Sequence, residues 1–248
     1  MITYGIIGNP LTHSHSPDYF SEKFKQLNLK DHQYLKFELK EIEALPEIIK
    51  DQPELAGFNV TAPFKESVIA YLDEVDVYAR FIGAVNTVKI TRQEGKKHLT
   101  GYNTDAYGFE HALRPNLTER HKRALILGTG GASKAVKFVF KKLGISYQNV
   151  TRRPLKSNHI VYWAVTRQLL QEHLIIVNTT PLGMHPGTRN YPSLPYEYLT
   201  SDHLMFDLIY NPAKTRFLEF GKKAGATTVN GLEMFRIQAE RAWDIWRE

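Results

Sequence analysis

The segment GFNVTAPFK, residues 57–65, sets three polar side chains in a pattern suited to a polar ligand. Asn59 and Thr61 have alternate spacing, which in an extended chain puts both on one face. Pro63 has no amide hydrogen to give to a sheet and breaks the run, and Lys65 follows it. Two neutral hydrogen-bonding groups beside an ammonium group suit a polar ligand. A lysine after a breaker is equally at home as solvated surface. Ser14 and Ser16 repeat the alternate spacing behind the first apolar run, ITYGIIG (2–8), and Asn86 in GAVNT and Asp105 in GYNTD add an amide and a carboxylate. Each has a bland role open to it: Ser16 and Asp105 as helix caps, Asn86 in a turn. In an open α/β sheet, however, ligands collect beyond the carboxyl ends of strands, where both pairs fall.

A second stretch, LILGTGGAS (125–133), predicts a phosphate cradle. Gly128 allows a tight turn after a buried strand. Gly130 lets a backbone come close to a pyrophosphate, and the helix that follows offers free N–H groups. Ser133 stands where the usual third glycine would be. A dinucleotide site for NAD carries an acidic residue about 20 positions on, to hold the ribose 2′-hydroxyl. Here the next strand runs into NVTRRPLK, and no Asp or Glu occurs from Arg120 to Gln171, a window with eleven Lys and Arg. Arg152 and Arg153 can make charge-assisted, forked contacts to a 2′-phosphate that a carboxylate would repel. The pattern favours NADP over NAD.

Other chemistries have less support. The chain has no cysteine, which removes disulfides, thiol nucleophiles and cysteine zinc sites and fits a reducing cytoplasm. His13 and His15 lack a third ligand at metal spacing, so they are read as loop residues and no metal is expected. No nucleophile elbow is present. The net charge of +6 suits nucleic acid or phosphorylated small molecules alike, but no aromatic-interleaved basic stripe or recognition helix accompanies it. No run of 18 apolar residues suggests a membrane span, and the N-terminus lacks the marks of a signal peptide.

The elements that must position these residues alternate between strand and helix, which predicts an α/β fold with parallel sheets. In the first part, 2–8 reads as a strand, and Ser16-Pro17 opens a helix with Tyr19, Phe20, Phe24 and Leu27 on one face. YLKFEL (34–39) reads as a strand, EIEALPEIIK as helical with a new turn at Pro46, GFNV as a strand and ESVIAYL as helical. AVNTVKIT and HLTGYNTD read as two strands joined by a hairpin loop at QEGKK. A second unit begins near residue 105 with a helix in AYGFEHAL. It continues through the glycine-turn strand and helix, then strands in ISYQNV, LIIVNTTPLGM, LMFDLIY and ATTVNG. Residues 181–195, rich in Pro and Gly, read as a long surface loop. The last helix carries Met234, Phe235, Ala239, Ala242 and Trp243 at helical spacing.

Taken together, GNPLTHSHSP (8–17), GFNVTAPFK (57–65), GAVNTV (83–88), GYNTDAYGF (101–109), LGTGGASKA (127–135), VNTTPLGM (177–184), DLIYNPAKT (207–215) and NGLEMFRIQA (230–239) resemble the shikimate dehydrogenase family over nearly the whole chain. The resemblance implies two α/β domains with a cleft between them. Residues 1–104 would be the substrate-binding domain, with the C-terminal helix, 231–248, returning to it, and 105–230 would be a Rossmann-type NADP-binding domain. It implies NADP-linked, reversible reduction of 3-dehydroshikimate to shikimate in aromatic amino-acid biosynthesis, by a cytoplasmic enzyme that is a monomer or homodimer. Lys65 and Asp105 would be the catalytic pair. Ser14, Ser16, Asn59, Thr61, Asn86, Tyr210 and Gln238 would hold the substrate. Gly128, Thr129, Gly130, Gly131, Ala132, Thr151, Arg152, Arg153, Lys156, Leu208 and Gly231 would lie along the cofactor. Where the family has Asn-Arg-Thr this chain has Thr151, Arg152 and Arg153. The stretch 156–178 is shorter than usual, which predicts loss of a peripheral helix or its replacement by a strand, and the early end of the chain predicts a short last helix. A quinate-oxidising paralogue and a non-catalytic ligand-sensing module are the alternatives on the same fold.

Overall fold

The structure is a computed structural model that describes every residue except 13, 94, 154–156 and 158. The chain divides into two units, one of residues 1–104 with 239–248 and the other of residues 105–238.

The first unit starts with β1 (Ile2–Gly8), α1 (Ser16–Gln26), β2 (His32–Glu38), α2 (Leu45–Asp51) and β3 (Leu55–Val60). It continues with β4 (Glu74–Val75), α3 (Val77–Ile82), β5 (Thr87–Gln93) and β6 (Lys96–Tyr102). The six strands form one mixed sheet in the order β2-β1-β3-β5-β6-β4. β1 lies parallel to both β2 and β3, while β3–β5 and β5–β6 are antiparallel. The hairpin is tighter than its sequence suggests: β5 reaches Gln93 and β6 begins at Lys96, with Gly95 in the left-handed region at φ 78°. Residues 67–71 form a 3₁₀ turn in place of the expected helix. They bury Val68 and then pass to extended Leu72, which leaves no length for further α-turns. Local chemistry sets α3 clearly. The Asp76 carboxylate caps the amides of Tyr78 and Ala79 at 2.9 and 3.3 Å, and Gly83 ends the helix at φ 70°.

One face of this sheet packs on a core that includes Ile7, Phe58, Val60, Val85 and Val88. The other is covered by α1 and the end of the chain through Tyr4, Phe20, Phe24, Tyr34, Ala239, Ala242, Trp243 and Trp246. Phe20 and Phe24, one turn apart, are the buried face of α1, whereas Leu27 caps the helix C-terminus and is 47% exposed. Trp246 stacks on Tyr4 at 4.7 Å and donates from Nε1 to the carbonyl of Val88 at 3.0 Å. Gly57 is required there, because a Cβ would stand 2.4 Å from that Nε1.

The second unit takes in α4 (Thr104–Leu113) from its second residue, then β7 (Arg123–Leu127), α5 (Gly131–Lys142), β8 (Ser146–Thr151), β9 (His159–Val161) and α6 (Arg167–Glu172). There follow β10 (Ile175–Asn178), β11 (Leu204–Asp207), α7 (Arg216–Lys223), β12 (Thr227–Val229) and α8 (Leu232–Arg247). α8 runs to 16 residues, and the division between units falls inside it, so 239–248 rather than all of 231–248 groups with the first unit. The sheet is parallel throughout, in the order β12-β11-β10-β7-β8-β9. The chain winds outward from β7 through β8 and β9, returns to β10 on the other side of β7, and winds outward again. That is the doubly wound arrangement, with its switch point between β7 and β10. The shortened segment carries a strand: only residues 152–158 join β8 to β9, too few for a crossover helix.

The loop 181–195 holds no helix or strand, yet it is anchored. Tyr191 and Tyr196 lie 5.0 and 4.4 Å from Phe220 of α7, and the Arg216 guanidinium sits over the Tyr191 and Phe220 rings. Among the described residues no helix is long and apolar enough to cross a membrane.

Candidate active site

In the first unit the polar residues gather at the carboxyl ends of β1 and β3. The two ends are tied together: the Thr61 amide donates to the Ile7 carbonyl at 2.9 Å and the Asn9 amide to Ala62 at 3.1 Å. A Cβ on Gly8 would meet the Thr61 methyl at 2.3 Å, so glycine at position 8 lets the strand ends close. β3 stops at Val60, and the chain turns through Pro63 to Lys65, whose carbonyl accepts from the Val85 amide at 2.7 Å. Lys65 is half-buried.

The predicted ligand-binding residues here separate into two kinds. Asn59 and Asn86 are built into the fold. Asn59 Oδ1 accepts from the Tyr34 hydroxyl at 2.7 Å, and its Nδ2 donates to Thr87 Oγ1 at 3.2 Å and the Asn86 carbonyl at 3.3 Å. Asn86 is buried, with Oδ1 accepting from the Thr104 amide at 2.7 Å and Nδ2 donating to Thr104 Oγ1 at 3.0 Å. Thr104 opens α4, and Asp105, the next residue, is buried in the first turn of that helix. By contrast, the half-buried Ser14, Ser16 and Thr61 make no side-chain hydrogen bond to another described residue. Ser16 is not the cap of α1; that position is His15, which makes no side-chain cap bond.

In the second unit the glycine turn lies at the switch point. Gly128 has φ 108°, and a Cβ there would stand 2.8 Å from Thr179 Oγ1. Gly130 differs: it has φ −76° and no heavy atom within 4 Å of where its Cβ would be. The vacant volume sits directly before the free amides of α5. Ser133, the departure from the glycine pattern, is buried and its hydroxyl donates to the Gly130 carbonyl at 2.7 Å, closing the turn from within. A cavity of about 400 Å³ opens here, lined by Gly128, Thr129, Gly130, Thr151, Arg152, Tyr162 and the 179–182 loop. Arg153 is exposed and outside that lining, and Lys156 lies outside the described residues. Open space at a helix N-terminus, a guanidinium at the β8 end and no carboxylate among the described lining residues fit a dinucleotide carrying a 2′-phosphate.

Sequence reasoning missed Tyr162 and the 179–182 loop. The loop's signal was present in VNTTP. Asn178 Oδ1 accepts from the Thr180 amide and hydroxyl at 3.0 and 2.7 Å, an Asx turn that shapes the loop. Behind it Asn178 Nδ2 donates to Asp207 Oδ1 at 3.0 Å. Asp207 also accepts from the Ile209 amide at 3.1 Å and the Thr215 hydroxyl at 2.6 Å. Burial outweighs these hydrogen bonds and pushes the Asp207 carboxyl up to about 6. The same junction places Leu208, Tyr210 and Gly231. A Cβ on Gly231 would lie 2.1 Å from the Leu208 carbonyl oxygen, and Tyr210 stacks on Phe235 at 4.8 Å. Gln238 packs along α4, its Cβ 3.1 Å from the place a Gly108 side chain would take. Asp105 is three residues before Gly108, on the same helical face. Among the described residues no three His, Asp or Glu stand together as a metal site, and His13 lies outside them.

A doubly wound parallel sheet with a glycine turn and an open phosphate-sized volume at its switch point defines a dinucleotide-binding α/β protein. Comparison with known proteins makes this specific. Residues 6–88 match the model of the shikimate dehydrogenase substrate binding domain. The chain is 40% identical to the NADP(+) shikimate dehydrogenase of Carboxydothermus hydrogenoformans over 262 residues, covering 98% of this chain and 90% of that one. Among solved structures, shikimate dehydrogenase 1 of Peptoclostridium difficile superposes with a TM-score of 0.85 at 37% identity, covering 100% of this chain and 92% of that one. The Thermus thermophilus shikimate 5-dehydrogenase, in complex with NADP(H) and shikimate, gives 0.84 at 33% identity, covering 99% and 93%. The chain belongs to the shikimate dehydrogenase family.

Proposed function

We propose that this chain is an NADP-dependent oxidoreductase that reversibly reduces 3-dehydroshikimate to shikimate in aromatic amino-acid biosynthesis. The observation that carries the reading is the cavity at the switch point, with no carboxylate among its described lining residues, Gly130 open before α5 and Arg152 at the β8 end, in a chain of this family. Residues 105–230 take the cofactor role. Residues 1–104 with the last helix take the substrate role. The reading places the enzyme in the cytoplasm, as a monomer or homodimer acting on a small molecule, with neither nucleic acid nor membrane as partner.

The residues divide the work. Gly128, Thr129, Gly130, Gly131 and Ala132 present backbone amides to the pyrophosphate, and Thr151 and Arg152 take the phosphorylated ribose; Arg153, Lys156, Leu208 and Gly231 are assigned along the same cofactor. The cofactor would supply the redox chemistry, its reduced form NADPH giving a hydride to the ketone and NADP+ taking one back from the alcohol in reverse. As the carbonyl carbon gains that hydride, its oxygen gains negative charge. The Lys65 ammonium gives its proton to that oxygen, and takes one from the alcohol in the reverse direction. Asp105 accepts a hydrogen bond from a ring hydroxyl and is the carboxylate partner assigned to Lys65. Ser14, Ser16 and Thr61 offer hydroxyls without a side-chain hydrogen bond to another described residue, suited to a carboxylate and ring hydroxyls. Asn59, Asn86, Tyr210 and Gln238 complete the substrate set, the first two from within the Tyr34–Thr87–Thr104 hydrogen-bond network.

The test is an absorbance assay at the nicotinamide band, with shikimate and quinate each offered with NADP and NAD. Fast NADP reduction with shikimate is expected, with slower rates in the other three pairings. Absence of turnover with shikimate and NADP overturns the reading. Faster turnover with quinate moves the chain to the polyol-acid paralogue.

A further inference from the structure

One wall of the cavity at the switch point is built at the ends of β8 and β9. β8 and β9 are paired in parallel, with Asn149 opposite His159, Val150 opposite Ile160 and Thr151 opposite Val161. Arg152 and Tyr162 directly follow the last paired residues of the two strands, so both leave the sheet at the same carboxyl edge. Neighbouring strands lie about 4.8 Å apart. Both residues line the cavity, with Thr151 between them and the glycine turn.

The two side chains are chemically complementary and uncommitted. Arg152 makes no ion pair among the described residues, and the neighbouring residues 154–158, Pro-Leu-Lys-Ser-Asn, contain no acid to pair with it. The half-buried Tyr162 makes no hydrogen bond from its hydroxyl to a described residue. Burial raises the Tyr162 phenol, and the positive charge of Arg152 acts on it in the opposite sense, so the hydroxyl is a neutral donor close to a cation. A hydroxyl donor beside a guanidinium, in a cavity with no carboxylate among its described lining residues, is a site for a dianion.

We propose that Tyr162 is a specificity-determining residue that donates its hydroxyl, together with the Arg152 guanidinium, to the 2′-phosphate of NADP. The inference rests on the functional reading above and deepens it. The hydroxyl serves only the phosphate, so it discriminates NADPH from NADH, whereas the glycine turn serves both.

The experiment measures dissociation constants by nicotinamide fluorescence for NADPH and NADH, and by calorimetry for adenosine 2′,5′-bisphosphate and ADP. Wild type is compared with Tyr162→Phe, which keeps the ring. A hydrogen bond to a charged group predicts about tenfold weaker binding of NADPH and of adenosine 2′,5′-bisphosphate in the variant. NADH and ADP should change less than about twofold, the range of sites that have lost no contact. Tyr162→Leu, which also removes the ring, should show the same selective loss. Equal weakening of NADPH and NADH in either variant assigns the ring to adenine packing and overturns the proposal, as does no change in Tyr162→Phe. Failure of wild type to bind NADPH or the bisphosphate overturns the functional reading as well. Normal wild-type binding with an unaltered Tyr162→Phe overturns this inference alone.

Discussion

Gly130→Ala separates a glycine kept for a ligand from one kept for the fold. At φ −76° and ψ −173° the backbone is in a region open to alanine, and no heavy atom lies within 4 Å of the new Cβ. Removing a glycine from the unfolded chain is worth about 0.4–1 kcal/mol. Against this, alanine caps a helix less well than glycine, by about 0.5–1 kcal/mol. The two nearly cancel, so the melting temperature should shift by no more than about 3 °C. The methyl group nevertheless stands before the first amides of α5, where a pyrophosphate must approach. Loss of one charge-assisted contact, worth about 1.5–3 kcal/mol, weakens NADPH binding about 10- to 100-fold. Gly128→Ala should behave differently. At φ 108°, with its Cβ 2.8 Å from Thr179 Oγ1, it should destabilise the protein by about 1–3 kcal/mol. Thr179 cannot yield freely, because its hydroxyl donates to the Leu127 carbonyl at 2.6 Å. Thermal denaturation and fluorescence titration of each variant measure both quantities. Unchanged NADPH affinity in a folded Gly130→Ala protein would refute the cradle, and a fall of more than about 5 °C would make that glycine structural.

Lys65→Ala should lower turnover by about 10²–10⁴-fold, the usual worth of a positioned acid, with NADPH affinity retained; a variant of near-normal turnover removes Lys65 from the chemistry. Asp207 should make an inverted contribution to acid stability. Its carboxyl is near 6 when folded and 3.8 as the reference value, so between about pH 4 and 6 the folded state holds a proton that the unfolded state has released. Its contribution is greatest below that window and is lost as the pH rises through it, costing wild type up to about 3 kcal/mol relative to Asp207→Asn between pH 4 and 7. Urea denaturation of both proteins across that range checks it, and a difference that is flat or grows with pH contradicts it. Trp246→Phe should destabilise the first unit by about 2–3 kcal/mol, since it removes the bond to the Val88 carbonyl and part of the ring that fills the space beside Gly57. A loss under about 0.5 kcal/mol in urea denaturation would show that the indole contact carries no weight.

Much of this protein was legible in the order of its residues. The alternation of strands and helices, the turn at Gly128–Gly130 and the basic run at Arg152 are local signals. Each depends on backbone freedom, capping or charge within a few positions. Local reading failed where the outcome depended on distant partners. Leu27 has the spacing of a buried residue but falls at the helix end, where no element covers it. The loop 181–195 has the composition of free surface, yet Tyr191 and Tyr196 pin it to α7.

The sequence by itself determined which chemistry is possible here: an ammonium group, hydroxyls at alternate spacing, a glycine turn, and a cationic stretch without carboxylates. Only the tertiary structure decided how those groups are used. Asn59 and Asn86 read as ligand groups by type and spacing, and sheet pairing gives them a second task by setting them against Thr87 and Thr104 inside the fold. Tyr162 reads as an ordinary aromatic until β8–β9 pairing brings it out at the same carboxyl edge as Arg152. Hydrogen bonding and register join residues far apart along the chain, and that pairing energy is set by the whole sheet, so no local window contains it.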